Sequence, residues 1–384
     1  MKQTILAILI FQGTVVAQEL PPAFDLTAMS EQERNSPVVQ AALALGPSWP
    51  GLGWLAFTPQ AATRQPTPPS PPPSGDGSRP RSERSMIGYI ENAIVGSQFR
   101  FRAEAGFNAE FPDRAEFFYA KCGCYKSLVG TGLPAYDPNA PGPGPGALSK
   151  LNFQQLFFEG EYAFKGRVSL FVEVPVRWIQ PQSFVPMTGS FGSQGGLGDV
   201  RAGFKAALLA SEGRYLTFQL KSYFPSGDAS KGLGTNHYSI EPAVLYYQAL
   251  SKRLAVESEF GIWHPIGGSA GVASASNSTP ESFAGNVLFY GVGPSYELLS
   301  GERVRFAPVV EIVGWSVLGG FQTVWVSGTE IADSASGINI VNIKIGGRLG
   351  LGAHNSFYIG YGRALTSAVW YTDTVRFEYR YSFK

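Results

Sequence analysis

Cysteine occurs only twice and histidine three times in 384 residues. So few thiols exclude a disulfide-stapled scaffold, and so few soft ligands argue against a structural metal core. Charge is scarce as well: Asp, Glu, Lys and Arg make up 15% of the chain, against ~25% in an ordinary soluble domain. The charges present nearly cancel, 30 basic against 29 acidic, so the basic surplus that a nucleic-acid partner requires is absent. Long apolar runs are missing too. The best candidate, residues 5–11, has seven residues (ILAILIF), far short of the ~20 that a helix needs to cross a bilayer. What is abundant is glycine (46 residues), proline (28) and aromatic side chains (13%). That composition disfavours a soluble helical enzyme and suits strands whose two faces meet different solvents.

The short apolar run follows Lys2 and leads to Val15-Val16-Ala17, small residues where a signal peptidase reads them. Residues 1–17 are therefore expected to be a signal peptide, and residues 18–85 a periplasmic extension. Within the extension, residues 36–45 carry the start and stop signals of a short helix: Ser36 as N-cap, Pro37 in the first turn and Gly46 just past the end. From Gln60 to Arg84 the chain becomes a Pro-rich linker (TPPSPPPSGDGSRPRS) that cannot build a core. The folded domain is expected over residues 86–384.

From Gly96 onward, polar and apolar residues alternate with period two, which puts them on opposite faces of a sheet. Arg100, Arg102 and Glu104 alternate with Phe99, Phe101 and Ala103. Glu173 and Arg177 oppose Val172, Val174 and Val176, and Arg201 and Lys205 oppose Ala202, Phe204 and Ala206. Lys221 sits on the polar face of its run, as do Glu257 and Glu259 opposite Val256, Phe260 and Ile262. At the end, Arg376, Glu378 and Arg380 alternate with Val375, Phe377, Tyr379, Tyr381 and Phe383. Twelve such runs centre near residues 103, 158, 172, 204, 219, 243, 258, 291, 309, 344, 359 and 379. Short polar turns alternate with long connections between them, the layout of an outer-membrane barrel. The expected fold is all-β: a transmembrane antiparallel up-and-down barrel of about twelve strands in the bacterial outer membrane, preceded by a disordered Pro-rich extension.

Alternation alone leaves open which face is wet, since a soluble barrel would turn the apolar set inward. The aromatic and aliphatic face suits lipid and interfacial girdles, and the charged face suits a lumen. The lumen-lining set is then Arg100, Arg102, Glu104, Glu173, Arg177, Arg201, Lys205, Lys221, Glu257, Glu259, Arg376, Glu378 and Arg380. Twelve basic and nine acidic residues fall on strand positions in all, which predicts ion-paired walls and at most a weak anion preference. Pro175, Pro242, Pro294 and Pro308 fall inside the runs and are expected to mark bulges or strand ends, because a closed barrel has no free edge to absorb a lost N–H.

Few residues suggest chemistry. Cys122 and Cys124 (AKCGCYK) in the first long loop are a disulfide candidate in an exported chain, with free thiols or a soft-metal pair as alternatives. His237 and His264 end neighbouring strands but have opposite parity, and His354 lies at the other end, so no metal site is expected and no cofactor is implied. His237-Tyr238-Ser239 has the two-residue His/Ser spacing of outer-membrane phospholipases, which are also twelve-stranded. The Asn-Gly that follows the serine in that family is lacking here. The Gly195–Gly198 cluster opens a strand rather than a helix, so it fails as a phosphate-binding loop.

Gly196-Leu197-Gly198-Asp199, Gly203-Phe204-Lys205, Pro225-Ser226-Gly227-Asp228 and Gly232-Leu233-Gly234-Thr235 resemble the motifs of the family named for the MetA pathway of phenol degradation. The resemblance covers roughly residues 195–260. It implies an outer-membrane barrel that passes small, often aromatic, molecules, and it carries no ligand residues with it. The expected function is a channel or transporter for small aromatic or hydrophobic solutes, not an enzyme. The alternatives are a non-conducting structural or surface-interaction barrel and, more remotely, a barrel lipase using His237 and Ser239. The partners expected are outer-membrane lipid, small solutes and, through the C-terminal strand, the barrel-assembly machinery.

Overall fold

The computed structural model describes residues 80–110, 143, 148–184, 186–187, 189–267, 284–326 and 329–383. The expected signal peptide, the expected helix over residues 36–45, most of the expected Pro-rich linker, and Cys122 and Cys124 lie outside the described residues. Twelve long strands form the wall: β1 Ser97–Ala109, β2 Leu148–Phe164, β3 Val168–Phe184, β4 Arg201–Ala210, β5 Arg214–Tyr223, β6 Tyr238–Ala249, β7 Leu254–Ile266, β8 Val287–Tyr296, β9 Val304–Val317, β10 Asn339–Leu351, β11 Asn355–Ala364 and β12 Asp373–Phe383. Each pairs antiparallel with the next. β12 returns to β1 in register from Ser97↔Phe383 to Phe107↔Asp373, and the sheet closes. A short piece, Gln194–Leu197, extends the wall beside β3. A hairpin, Phe321–Val326 with Thr329–Ser334, belongs to the β9–β10 connection.

The alternation seen in the sequence becomes an inside-out distribution of polarity. Ile359 is 64% and Leu170 55% exposed on the outer face, whereas Arg348 is 0% and Arg380 1% exposed on the inner one. A protein whose outer face meets water buries the first pair and exposes the second. The arrangement therefore fits a wall whose outside meets hydrocarbon and whose inside holds the charges. Turns obey the same logic. The β2–β3 connection places Lys165 and Gly166 at φ 50° and 63°, a positive-φ pair that matches the twist of the strands it joins.

The prolines depart from expectation. All four lie inside continuous strands rather than at their ends. The ladder opens locally around Pro242 between Ile240↔His264 and Ala243↔Gly261, and around Pro294 between Val292↔Ile312 and Ser295↔Val309, without a change of register. At Pro242 and Pro294 the wall thus absorbs the missing N–H by an unpaired step rather than by a bulge. Pro175 alone marks a larger break: β3 leaves β4 after Glu173↔Arg201 and pairs with the short piece from Val176↔Leu197.

Val172 faces outward, half-exposed, near the middle of β3. Val172→Arg should cost about 2–4 kcal/mol if that position meets hydrocarbon at mid-depth. Urea unfolding of the refolded barrel in bilayers measures it, and an unchanged midpoint would refute the lipid-facing assignment.

Candidate functional site

The residues just before β1 do not join the wall. Residues 80–96 enter the lumen from the short-turn end, reach mid-depth near Tyr89–Glu91 and return to Ser97. Their two limbs meet at the base, where a Cβ on Gly96 would stand 2.8 Å from the Ser82 side chain. Ser82 Oγ also donates to Ser382 Oγ at 3.1 Å, near the end of β12. Met86, Ile87 and Ile90 pack on Ala307, Val309, Val313 and Tyr358. Ala93 and Ile94 pack on Tyr215, Ala243, Leu245 and Tyr247. The segment is a plug.

Irregular backbone at membrane depth must find a partner for each N–H and C=O. Charged wall residues provide them. The Glu311 carboxylate accepts from the N–H groups of Gly88 (3.3 Å), Tyr89 (2.9 Å) and Ile90 (2.8 Å), and Glu259 accepts from Glu91 N–H at 3.0 Å. Arg348 donates to the carbonyls of Met86 and Ile87, Arg380 to those of Ser82 and Ser85, and Arg376 to that of Gly88. Arg305 donates to Glu83 O and Thr217 to Ala93 O. The wall therefore holds the plug mainly by its main chain, which any sequence would offer.

Among the described residues, three plug side chains add ion pairs. Arg84 meets Glu212 of the β4–β5 turn at 3.7 Å. Glu83 meets Arg305 at 3.3 Å. Glu91 meets Arg100 at 2.9 Å, Lys221 at 3.4 Å and Arg102 at 3.7 Å. Most other wall charges pair within the wall. Arg100 pairs with Glu159, and Arg102 with Glu173, which also meets Arg201 at 2.8 Å. Lys205 meets Glu161 at 3.2 Å, Lys221 meets Glu241 at 3.0 Å and Arg376 meets Glu104 at 2.6 Å. Glu378 takes both Arg348 and Arg380, at 2.6 and 3.2 Å. Glu257 is wholly buried on β7. Arg177 donates to Gln155 Oε1 and to Leu233 O.

Between the plug and the long-loop end lies a cavity of about 230 Å³. Tyr89 and Glu91 of the plug contribute to its floor. Arg102, Glu104, Arg177, Arg201, Lys221 and Glu241 line it from β1 and β3–β6, while Trp263, Phe289 and Trp315 line it from β7–β9. Trp370 and Tyr371 line it from the β11–β12 connection. Trp263, Trp370 and Tyr371 belong to an apolar cluster at the long-loop end with Leu148, Leu151, Phe153, Val317 and Ile340. Phe153, Phe157 and Tyr223 also line the cavity among the charged residues, and Glu259 lines it beside Trp263. Charged and aromatic side chains are thus mixed, with the tryptophans gathered on β7, β9 and the β11–β12 connection.

The glycine motifs shape this rim. The ladder break after Glu173↔Arg201 frees Asp199 to turn inward. Asp199 Oδ1 accepts from Gly227 N–H (3.0 Å), and Oδ2 accepts from Thr235 N–H and Oγ1 (both 2.8 Å). One carboxylate therefore clasps both later motifs. A Cβ on Gly234 would lie 2.5 Å from Asp199 Oδ1, and one on Gly227 2.9 Å from Leu233 O, so this close approach needs glycine. The clasp brings Leu233 into the apolar cluster and Thr235 onto the cavity wall. Outside it, Asp228 accepts from Ser230 N–H, and the Ser230 hydrogen bonds hold its carboxyl below the usual range.

His237 and Ser239 are both buried, but they do not form a nucleophile–base pair. His237 Nδ1 lies 2.8 Å from Thr235 O and its ring packs edge-on against Trp263. Neither His237 Nε2 nor Ser239 Oγ has a hydrogen-bond partner among the described residues. His264 hydrogen-bonds Asn286, and His354 the carbonyl of Ser382. The plug and the aromatic rim were not legible from periodicity. The one hint was an apolar stretch, Met86–Val95, lying between a polar linker and the first alternating run.

A family model described as "Putative MetA-pathway of phenol degradation" matches residues 147–262. No curated protein matches the sequence. Among solved structures, an outer membrane channel from Pseudomonas putida F1 is similar at 15% identity and TM-score 0.45, over 77% of this chain and 99% of that one. The toluene transporter TodX of Pseudomonas putida follows at 8% identity and TM-score 0.34, over 75% of this chain and 89% of that one. LpxR from Salmonella typhimurium stands at 11% and 0.39, over 75% and 100%. The chain resembles the matched family, and its closed twelve-strand wall and apolar outer face identify a barrel of the bacterial outer membrane.

Asp199→Ala strands the N–H groups of Gly227 and Thr235, at ~1–3 kcal/mol for each donor left dry, while the Thr235 hydroxyl keeps an acceptor in His237 O at 3.2 Å. Limited proteolysis of the intact barrel should then cut residues 224–237 faster than in the wild type. Equal cutting rates would show that the loop holds its place without the clasp.

Proposed function

We propose that the barrel carries small amphipathic aromatic solutes across the outer membrane and that residues 80–96 are its gate. The observation that carries this reading is the cavity above the plug, lined by both charged and aromatic side chains. A cavity of ~150 Å³ already accepts benzene, so about 230 Å³ suits one ring with a polar substituent. Five basic and five acidic residues line it (Arg102, Arg177, Arg201, Lys221, Arg376; Glu91, Glu104, Asp199, Glu241, Glu259). With no net charge on the lining, the field gains little from a charged solute and leaves recognition to ring and polar group. The lipase alternative loses support because His237 is engaged with Thr235 O rather than with the Ser239 hydroxyl. The non-conducting alternative is what the barrel would be if the plug never left.

Tethering the plug separates these readings. In a chain with Cys122 and Cys124 replaced by Ser, Ser82→Cys and Ser382→Cys place two thiols where hydroxyls now stand 3.1 Å apart. The oxidised protein should show no steps in planar bilayers and no solute-driven swelling of liposomes, and reduction should restore both. Equal permeation in the two states would remove the plug as gate. Silence in both would favour the structural barrel.

A further inference from the structure

The tip of the plug presents one aromatic side chain to the wall, and the wall receives it in a specific way. Arg376 Cζ lies 4.1 Å from the centroid of the Tyr89 ring and Lys344 Nζ lies 4.4 Å from it. The Tyr358 ring meets it edge-on at 6.1 Å, with an interplanar angle of 84°. The Tyr89 hydroxyl donates to Gly360 O at 3.4 Å. Small residues make the room. A Cβ on Gly346 or Gly360 would stand 2.4 Å from the Tyr358 hydroxyl, and one on Gly362 would stand 2.3 Å from Lys344 Cδ.

A cation is attracted to the face of an aromatic ring by its quadrupole, and two cations make the site selective for an electron-rich ring. A hydroxyl acceptor at the ring's edge adds a second criterion. Neither requirement depends on the ring's being attached to the plug. The main-chain bonds to Glu311 hold Tyr89 N–H independently of its side chain. The same Tyr89 also lines the floor of the solute cavity, so a solute above the plug and the Tyr89 ring are neighbours.

We propose that the recess formed by Lys344, Arg376, Tyr358 and Gly360 is a binding site for an electron-rich, hydroxylated single ring, which Tyr89 occupies as an internal stand-in. A solute of that class competes with Tyr89 for the recess, and its binding frees the tip of the plug. The role in gating rests on the transport reading above; the binding itself does not.

Para-cresol, the Tyr side chain cut at Cβ, is the probe. In full-length protein, Tyr89→Ala empties the recess and keeps the main-chain clamp. Calorimetry should show para-cresol binding to Tyr89→Ala at least about tenfold tighter than to the wild type or to Tyr89→Phe, because the resident ring no longer competes. The saturated analogue 4-methylcyclohexanol, of similar shape but without a π face, should lose that gain. Equal affinity in wild type and Tyr89→Ala, or equal binding of the two probes, overturns the proposal. Should Tyr89→Ala fail to fold, Tyr89→Leu provides the same comparison with an apolar filler that cations do not favour. Tyr89-dependent binding without para-cresol flux would sink the transport reading and leave the site standing. Flux with no Tyr89-dependent binding would do the reverse.

Discussion

A wall that turns its charges inward must neutralise each of them without bulk water, and it must do so in a closed ring with no free edge. In this barrel the wall pairs most of its charges across neighbouring strands: Arg201 with Glu173, Lys205 with Glu161, Arg376 with Glu104. A buried charge left without a partner is costly, whereas a paired and hydrogen-bonded one is tolerated. Several wall residues turn instead to the segment before β1. Glu311 takes three of its N–H groups, and Arg348 and Arg380 take its carbonyls. Wall and plug therefore complete each other. Removing the plug would leave Glu311, Arg305 and Thr217 facing an empty lumen, and water would have to replace the plug's polar groups.

That mutual dependence shapes what can pass. The short-turn half of the lumen is filled by a segment held through its backbone, and the remaining space lies between its tip and the aromatic rim. A solute reaching that space meets both the rings of Trp263, Trp315 and Trp370 and the charges of Arg102, Arg177 and Lys221. Net charge is balanced, so selectivity falls to shape, ring and polar group rather than to a field. Arg376 belongs to both regions: it pairs with Glu104 in the wall, donates to Gly88 O in the plug and lies over Tyr89. Events in the cavity and the position of the plug are linked through such shared residues.

The strand framework was legible because period-two alternation is a local signal. All twelve expected strand centres fall within the observed strands, including that of β12, where Arg376, Glu378 and Arg380 alternate with aromatic residues. The Gly195–Gly198 cluster marked the start of its strand, but the purpose of the motifs around it needed three dimensions, since Asp199 meets Thr235 across 36 residues of chain. The plug was not legible for a related reason. Its partners lie 221–223 residues away in Glu311 and 298 residues away for Ser82 and Arg380. Its own residues, Arg81–Gly96, carry no period that announces them. Prolines misled for the opposite reason. A local rule about lost N–H groups overlooked how readily a twelve-stranded wall tolerates one unpaired step.

Main-chain hydrogen bonds to Glu311 and Glu259 hold residues 88–91 inside the lumen. Amide hydrogen exchange of the full-length protein in nanodiscs, followed residue by residue, tests it most directly. The amides of Gly88, Tyr89, Ile90 and Glu91 should exchange as slowly as those in the middle of β9 and β12. Exchange at the rate of an unprotected loop would contradict it, and the lumen would then have to be reconsidered as open.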